Sequence, residues 1–198
     1  MFVNIALTSF IVSASILCGA LSVDYMINSS DNFGSFTIGG WRAYPQVGTK
    51  KTDPYTRART AKRGDISLGR AEGLVFQIWK DNRGRPLYSH CNYLLKGHIP
   101  KARLFTLYTA DKLLKPYTSS SKLPFELHTD NIVYESDGSF HIYISKEPQA
   151  GNWLAIISKK KFGLILTLYD TSIISATILQ KPTMPSVKQI PSGQRNCD

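Results

Sequence analysis

Residues 151–172 read GNWLAIISKKKFGLILTLYDTS, and the fold turns on how that stretch is read. Two apolar runs, 153–157 and 162–168, flank a cluster of lysines. Runs that short, bounded by polar punctuation and rich in Ile and Leu, are strand length rather than helix length. Lysines at 159–161 suit a tip in solvent, so the stretch reads as strand, turn, strand. In that reading Asn152 and Trp153 start one strand, and Tyr169 and Asp170 finish the other.

The same period-two pattern recurs on both sides. In GLVFQIWKD (73–81), Leu74, Phe76 and Ile78 share a face. The turn DNRGRP follows, and LYSHCNYLLKG (87–97) places Leu87, Cys91, Tyr93 and Leu95 on one side, which reads as a second hairpin. ARLFTLYTAD (102–111) is a further strand, and NIVYESDGSFHIYIS (131–145) reads as a hairpin with Ser136, Asp137 and Gly138 at its tip. Residues 36–45, FTIGGWRAYP, make a first strand turning at Gly39 and Gly40, with Trp41 free to pack inward. The prolines at 182, 185 and 191 mark an extended edge and a loose tail.

One segment breaks the pattern. TDPYTRARTAKRG (52–64) has Asp53 or Thr52 to cap its free amides, Pro54 in the first turn and Gly64 to stop it. A short helix is expected there, with a second, weaker one within 112–131. Strands dominating one or two short helices predict a mainly β domain: an antiparallel β-sandwich, jelly-roll-like, over residues 36–190. Residues 191–198 form its tail.

The chain before that domain is of a different kind. Residues 2–23, FVNIALTSFIVSASILCGALSV, carry no charge and are long enough to cross about 30 Å of hydrocarbon as a helix. Two readings stand: an uncleaved transmembrane helix, or a signal peptide cut after Ala20 or Ser22. No basic residue precedes the run, so the charge rule for topology says almost nothing. Residues 24–35 read as a polar linker. Both readings export the body, either to the periplasmic side of a bacterial inner membrane or freely into the periplasm.

Formal charge is +10, and every Lys and Arg lies at or after Arg42. A basic exported body favours anionic lipid or an anionic envelope polymer as partner, with a single amino-terminal membrane span. Nucleic acid is not expected, since no recognition motif accompanies the charge. Of the cysteines, Cys18 lies in the apolar run, which leaves Cys91 and Cys197 as the candidate disulfide. No CxxC spacing or matching His pair points to a metal, and no cofactor motif is present. GRAEGL (69–74) lacks the Lys-Ser/Thr ending of a phosphate loop, and DGSFH is a turn rather than a nucleophile elbow.

Candidate ligand-binding residues are therefore polar and aromatic. Arg57 and Arg59 on the helix suit an anion in forked geometry. Glu72, Asn152, Trp153, Tyr169 and Asp170 are the candidates for one end of the sandwich, near Trp41. The competing assignment spends them on ion pairs and core packing. A binding or scaffolding module is the leading expectation, and the alternative is a hydrolase of phosphorylated or other anionic compounds held by Arg57 and Arg59.

Taken in order, IGGWRAYPQVGTKKTDPYTRARTAKRG, GRAEGLVFQIWKDNRGRPL, CNYLLKG, SDGSFHIYIS, GNWLAI and LILTLYDT form a series. That series resembles the DUF1214 family, a domain of unknown function, and within it the short membrane-anchored members of alphaproteobacteria. Larger relatives join this domain to a second one, DUF1254. The resemblance implies an exported β-sandwich or jelly-roll module and supplies no catalytic residues to carry over.

Overall fold

The computed structural model describes residues 2–29, 34–64, 68–69, 72–119, 122–157, 161–171, 173, 182–191 and 197. In chain order the elements are α1 (Phe2–Ser29), β1 (Phe36–Ile38), β2 (Trp41–Ala43), α2 (Pro54–Arg63), β3 (Gly73–Ile78), β4 (Asn92–Gly97) and β5 (Ala102–Ala110). Then come β6 (Glu126–His128), a 3-10 turn (Thr129–Asn131), β7 (Phe140–Ser145), β8 (Asn152–Ala155), β9 (Gly163–Thr171) and β10 (Ser186–Ile190). The strands form two sheets, β1-β2-β3-β9-β5-β6 and β10-β4-β7-β8. Their inner faces share one core, so the mainly β sandwich expected from the pattern is the fold. Among the described strands all pairings are antiparallel except β7 with β8, which run parallel.

Alternation decides which side chains enter that core. Phe76 of β3, Leu166 of β9 and Leu107 of β5 stand in one row across the large sheet and point inward. Leu95 of β4 and Ile142 of β7 face them from the small sheet. Trp41 is fully buried, and its Nε1 donates to the Pro185 carbonyl at 2.7 Å, so its polar tip is satisfied. The neighbouring row, Gln77, Ile165 and Tyr108, points to the outer face of the same sheet. β9 is buried from Gly163 through Leu168, as a central strand covered on both faces should be. On the outer side of this sheet, Tyr44, Val47 and Arg63 stand beside Gln77 of β3.

Strands were legible as strands, but three pairings differ from the hairpins the sequence predicts. β3 and β4 begin as a hairpin, with a bridge between Lys80 and Pro86 and Leu87 N–H donating to the Trp79 carbonyl at 3.1 Å. The chain then leaves for the other sheet, where β4 pairs with β7 and β10. The 151–172 stretch behaves likewise: β8 joins β7 in the small sheet, while β9 lies between β3 and β5 in the large one. Its expected tip at 158–160 lies outside the described residues. In 131–145 the tip forms, with Gly138 N–H donating to the Glu135 carbonyl at 2.9 Å, yet only the second arm is a strand. The first arm is taken by Asn152, whose side chain accepts from Val133 N–H at 2.6 Å and donates to the Val133 and His141 carbonyls. Residues 36–43 do form the expected hairpin, Ile38 opposite Trp41.

Both helices also deserve comparison with expectation. α2 starts and stops where its caps predict. In 112–131 the structure has a 3-10 turn and β6 rather than a second α-helix. α1 runs on to Ser29, so residues 24–29 of the expected linker are helical. That extension meets α2: Lys62 Nζ donates to Asn28 Oδ1 at 3.0 Å and lies 3.7 Å from Asp24. Cys91 and Cys197 form a disulfide with Cα atoms 5.5 Å apart, tying the 197 end to the strand region of the small sheet.

Candidate functional site

α2 is built by local chemistry. Asp53 accepts from Thr56 N–H at 2.9 Å, Pro54 occupies the first turn, and Gly64 closes the helix in a left-handed conformation at φ 70°. Burial pushes the Asp53 carboxyl up, but hydrogen bonds from Thr56 and the charge of Arg59 outweigh it and hold the group below its ordinary value. Thr56 is buried against the sheet side, and Arg59 donates to its Oγ1 at 3.1 Å. Arg57, one position out of phase, points to solvent and donates to the Lys50 carbonyl at 2.7 Å.

Between α2 and the outer face of the large sheet lies a cavity of about 510 Å³. Arg59, Arg63, Lys80, Lys112 and Lys161 line it, and among the described residues no carboxylate does. These cations come from the helix, the start of the β3–β4 connection, the turn after β5 and the residue two before β9. Trp79 forms one wall, with its Nε1 donating to Gln77 Oε1 at 3.1 Å. Trp79 fits only because residue 163 is glycine: a Cβ there would stand 2.8 Å from the indole ring. Lys161 lies 5.4 Å above the Tyr88 ring, an added cation–π contact. Asn28 of α1 completes the lining, so the cavity opens beside the end of the apolar helix.

A partly enclosed cleft lined by one sign of charge, with low-dielectric walls, concentrates its field. Five cations around one cavity suit a ligand carrying several negative charges, and guanidiniums offer forked donors for phosphate or carboxylate.

The seven side chains singled out from sequence fall in three places. Arg59 lines the basic cavity, and Arg57 lies on the same helix but outside it. Glu72, Tyr169 and Asp170 meet at one edge of the β3–β9 pair: Asp170 N–H donates to the Glu72 carbonyl at 2.9 Å, and Gly73 stands opposite Tyr169. The Glu72 carboxylate accepts from Gly69 N–H at 2.7 Å, and that of Asp170 lies 3.6 Å from Arg103. Asn152 and Trp153 sit in the other sheet, where Trp153 Nε1 donates to Ser145. Of the seven, Arg59 is the one that lines the cavity.

Sequence reading missed Arg63, Trp79, Lys80, Lys112 and Lys161 as members of one site, because four separate segments supply them. His90, Cys91 and Cys197 place three potential metal donors within 4.8 Å of one another, but the two sulfurs are already bonded to each other.

The family model described as protein of unknown function, DUF1214, matches residues 72–173, which takes in β3 through β9. No curated protein matches the chain in sequence. Among solved structures, the chain is similar to the VPA0106 protein from Vibrio parahaemolyticus at 17% identity and a TM-score of 0.55, covering 69% of this chain and 35% of that one. It is also aligned with an uncharacterized protein from Burkholderia cenocepacia at 16% identity and a TM-score of 0.39, over 70% of this chain and 43% of the other. The chain thus spans well under half the length of either, and the Vibrio likeness speaks to the fold alone. Given a family match over more than half its residues and a two-sheet fold to go with it, the chain belongs to the DUF1214 family.

Proposed function

We infer that this protein is an exported binding module, held at the periplasmic face of a bacterial inner membrane by α1, that captures an anionic component of the envelope in its basic cavity. The observation that carries the reading is the convergence of Arg59, Arg63, Lys80, Lys112 and Lys161 on the walls of one cavity. Three further features support it. The candidate span within α1, Phe2–Asn28, is 27 residues long, about 40 Å as a helix, and its most apolar window is not buried by the domain. A disulfide joins Cys91 to Cys197, and such bonds persist in oxidising compartments. The basic residues all follow α1, on the part of the chain that would face the envelope.

Arg57 extends the positive surface beside the cavity, while Glu72, Asn152, Trp153, Tyr169 and Asp170 act in holding strands and loops in place. The test is a titration of the full chain, in uncharged detergent, with pyrophosphate and with an anionic glycan polymer at rising salt. Saturable binding that weakens with salt, and that drops at least about tenfold in Lys112→Glu/Lys161→Glu, is expected. Equal binding by the charge-reversed variant would remove the cavity from the reading.

A further inference from the structure

A second cavity of about 210 Å³ adjoins the first. The two share Tyr44, Val47, Arg63 and Gln77 as walls. Among the described residues Arg63 is the one charged residue lining the smaller cavity, whose other walls include Leu68, Val75 and Leu114. A basic lobe thus adjoins one whose described walls mix apolar side chains with Thr60, Gln77 and two tyrosines, and Arg63 lines both. Such a shape matches a molecule with a charged head and a hydrocarbon tail rather than a uniformly charged polymer.

Leu114 strengthens the match. Its φ is 61°, in the left-handed region, where a leucine is a true outlier and glycine is the ordinary occupant. Asp111 holds the turn in that shape, its carboxylate accepting from the N–H groups of Leu113 and Lys115 at 2.8 and 3.0 Å. The same turn thus sends Lys112 to the basic lobe and Leu114 to the smaller one. Strained backbone that persists at a cavity wall points to a use for the side chain it carries.

Position supplies the third argument. Asn28, the last residue of the candidate membrane span, lines the basic lobe, and Lys62 of α2 is bonded to it. With α1 in a bilayer, the five cations stand at the level of the lipid headgroups, where basic side chains are attracted to anionic lipid.

Resting on the reading above, we propose that the ligand is an anionic phospholipid, its phosphate in the basic lobe between Arg59, Arg63 and Lys112, and the start of an acyl chain in the lobe formed by Val75, Leu68 and Leu114. The site lifts a lipid partly out of the membrane plane instead of merely adhering to its surface.

The experiment uses the full chain in uncharged detergent and three probes read by native mass spectrometry: dioctanoyl phosphatidic acid, glycerol 3-phosphate and dioctanoylglycerol. Phosphatidic acid should bind at least about tenfold more tightly than either the head or the tail alone, since each buried CH2 adds roughly 0.8 kcal/mol, and 1.4 kcal/mol is a factor of ten. Lys112→Glu/Lys161→Glu should weaken both phosphate-bearing probes. Leu114→Gly should bring phosphatidic acid down to the level of glycerol 3-phosphate and leave the latter unchanged, with an intact Cys91–Cys197 bond and an unaltered circular dichroism spectrum showing that the variant is folded. Equal affinity for glycerol 3-phosphate and phosphatidic acid would overturn the lipid assignment while leaving anion binding in place. No binding of either phosphate probe would overturn both, and dioctanoylglycerol binding as tightly as phosphatidic acid would do the same.

Discussion

Gly163 and Leu114 sit at opposite ends of the range of backbone tolerance, and each sets one wall of the site. Gly163 is needed for space: an added methyl would press on Trp79 ring carbons at 2.8 Å. Gly163→Ala is expected to cost roughly 1–3 kcal/mol and to shift the tryptophan emission as Trp79 is pushed from the sheet; urea unfolding followed by fluorescence measures both. Leu114 shows the reverse. Relief of its left-handed strain, about 1–2 kcal/mol, offsets the lost side-chain contact and the added freedom of glycine in the unfolded chain. Leu114→Gly should therefore unfold within about 1 kcal/mol of the wild type. At this scale the sequence was only partly readable. Gly64 stood at a visible helix stop, whereas nothing in FGLIL announces that a distant indole rests on residue 163.

α2 is the element whose stability should respond most plainly to acid. The Asp53 pKa is lower in the folded chain than in the unfolded one, so its contribution is complete above the unfolded value and is lost as pH falls through the folded one. Helix content should therefore fall below about pH 4, and Asp53→Ala should lose about 1 kcal/mol at neutral pH together with that acid-dependent step. Circular dichroism against pH, wild type beside variant, checks it. This helix was fully legible, because caps act over three residues and Asp53, Pro54 and Gly64 carry them. Strands were legible for a similar reason: alternation such as Leu74, Phe76, Ile78 is local. Pairing was not. β3 meets β9 with Phe76 opposite Leu166, ninety positions along the chain, and no local pattern encodes that choice. The turns at 81–86 and 136–138 are real turns, but each delivers the chain to a different sheet or to a loop.

For the molecule as a whole, the Cys91–Cys197 bond spans 106 residues and so constrains most of the domain when unfolded. Reduction, or a Cys91→Ser/Cys197→Ser variant, is expected to lower stability by about 4–5 kcal/mol in the chain-entropy account, a shift that denaturant midpoints with and without reductant would show. Fold class, the long apolar helix and the bond itself were legible because composition and cysteine number report on the whole chain. The site was legible only at Arg59, since its other cations stand in segments that the sheet order alone brings together.

The placement of β9 has a consequence for how the protein reaches its final form. The middle strand of the large sheet is made after both of its neighbours, β3 and β5, and neither can complete its ladder without it. A chain that emerges gradually from its amino terminus must therefore wait, open and unpaired, until its late segment arrives. Assembly then resembles the setting of a keystone: slow to begin, and cooperative once it does.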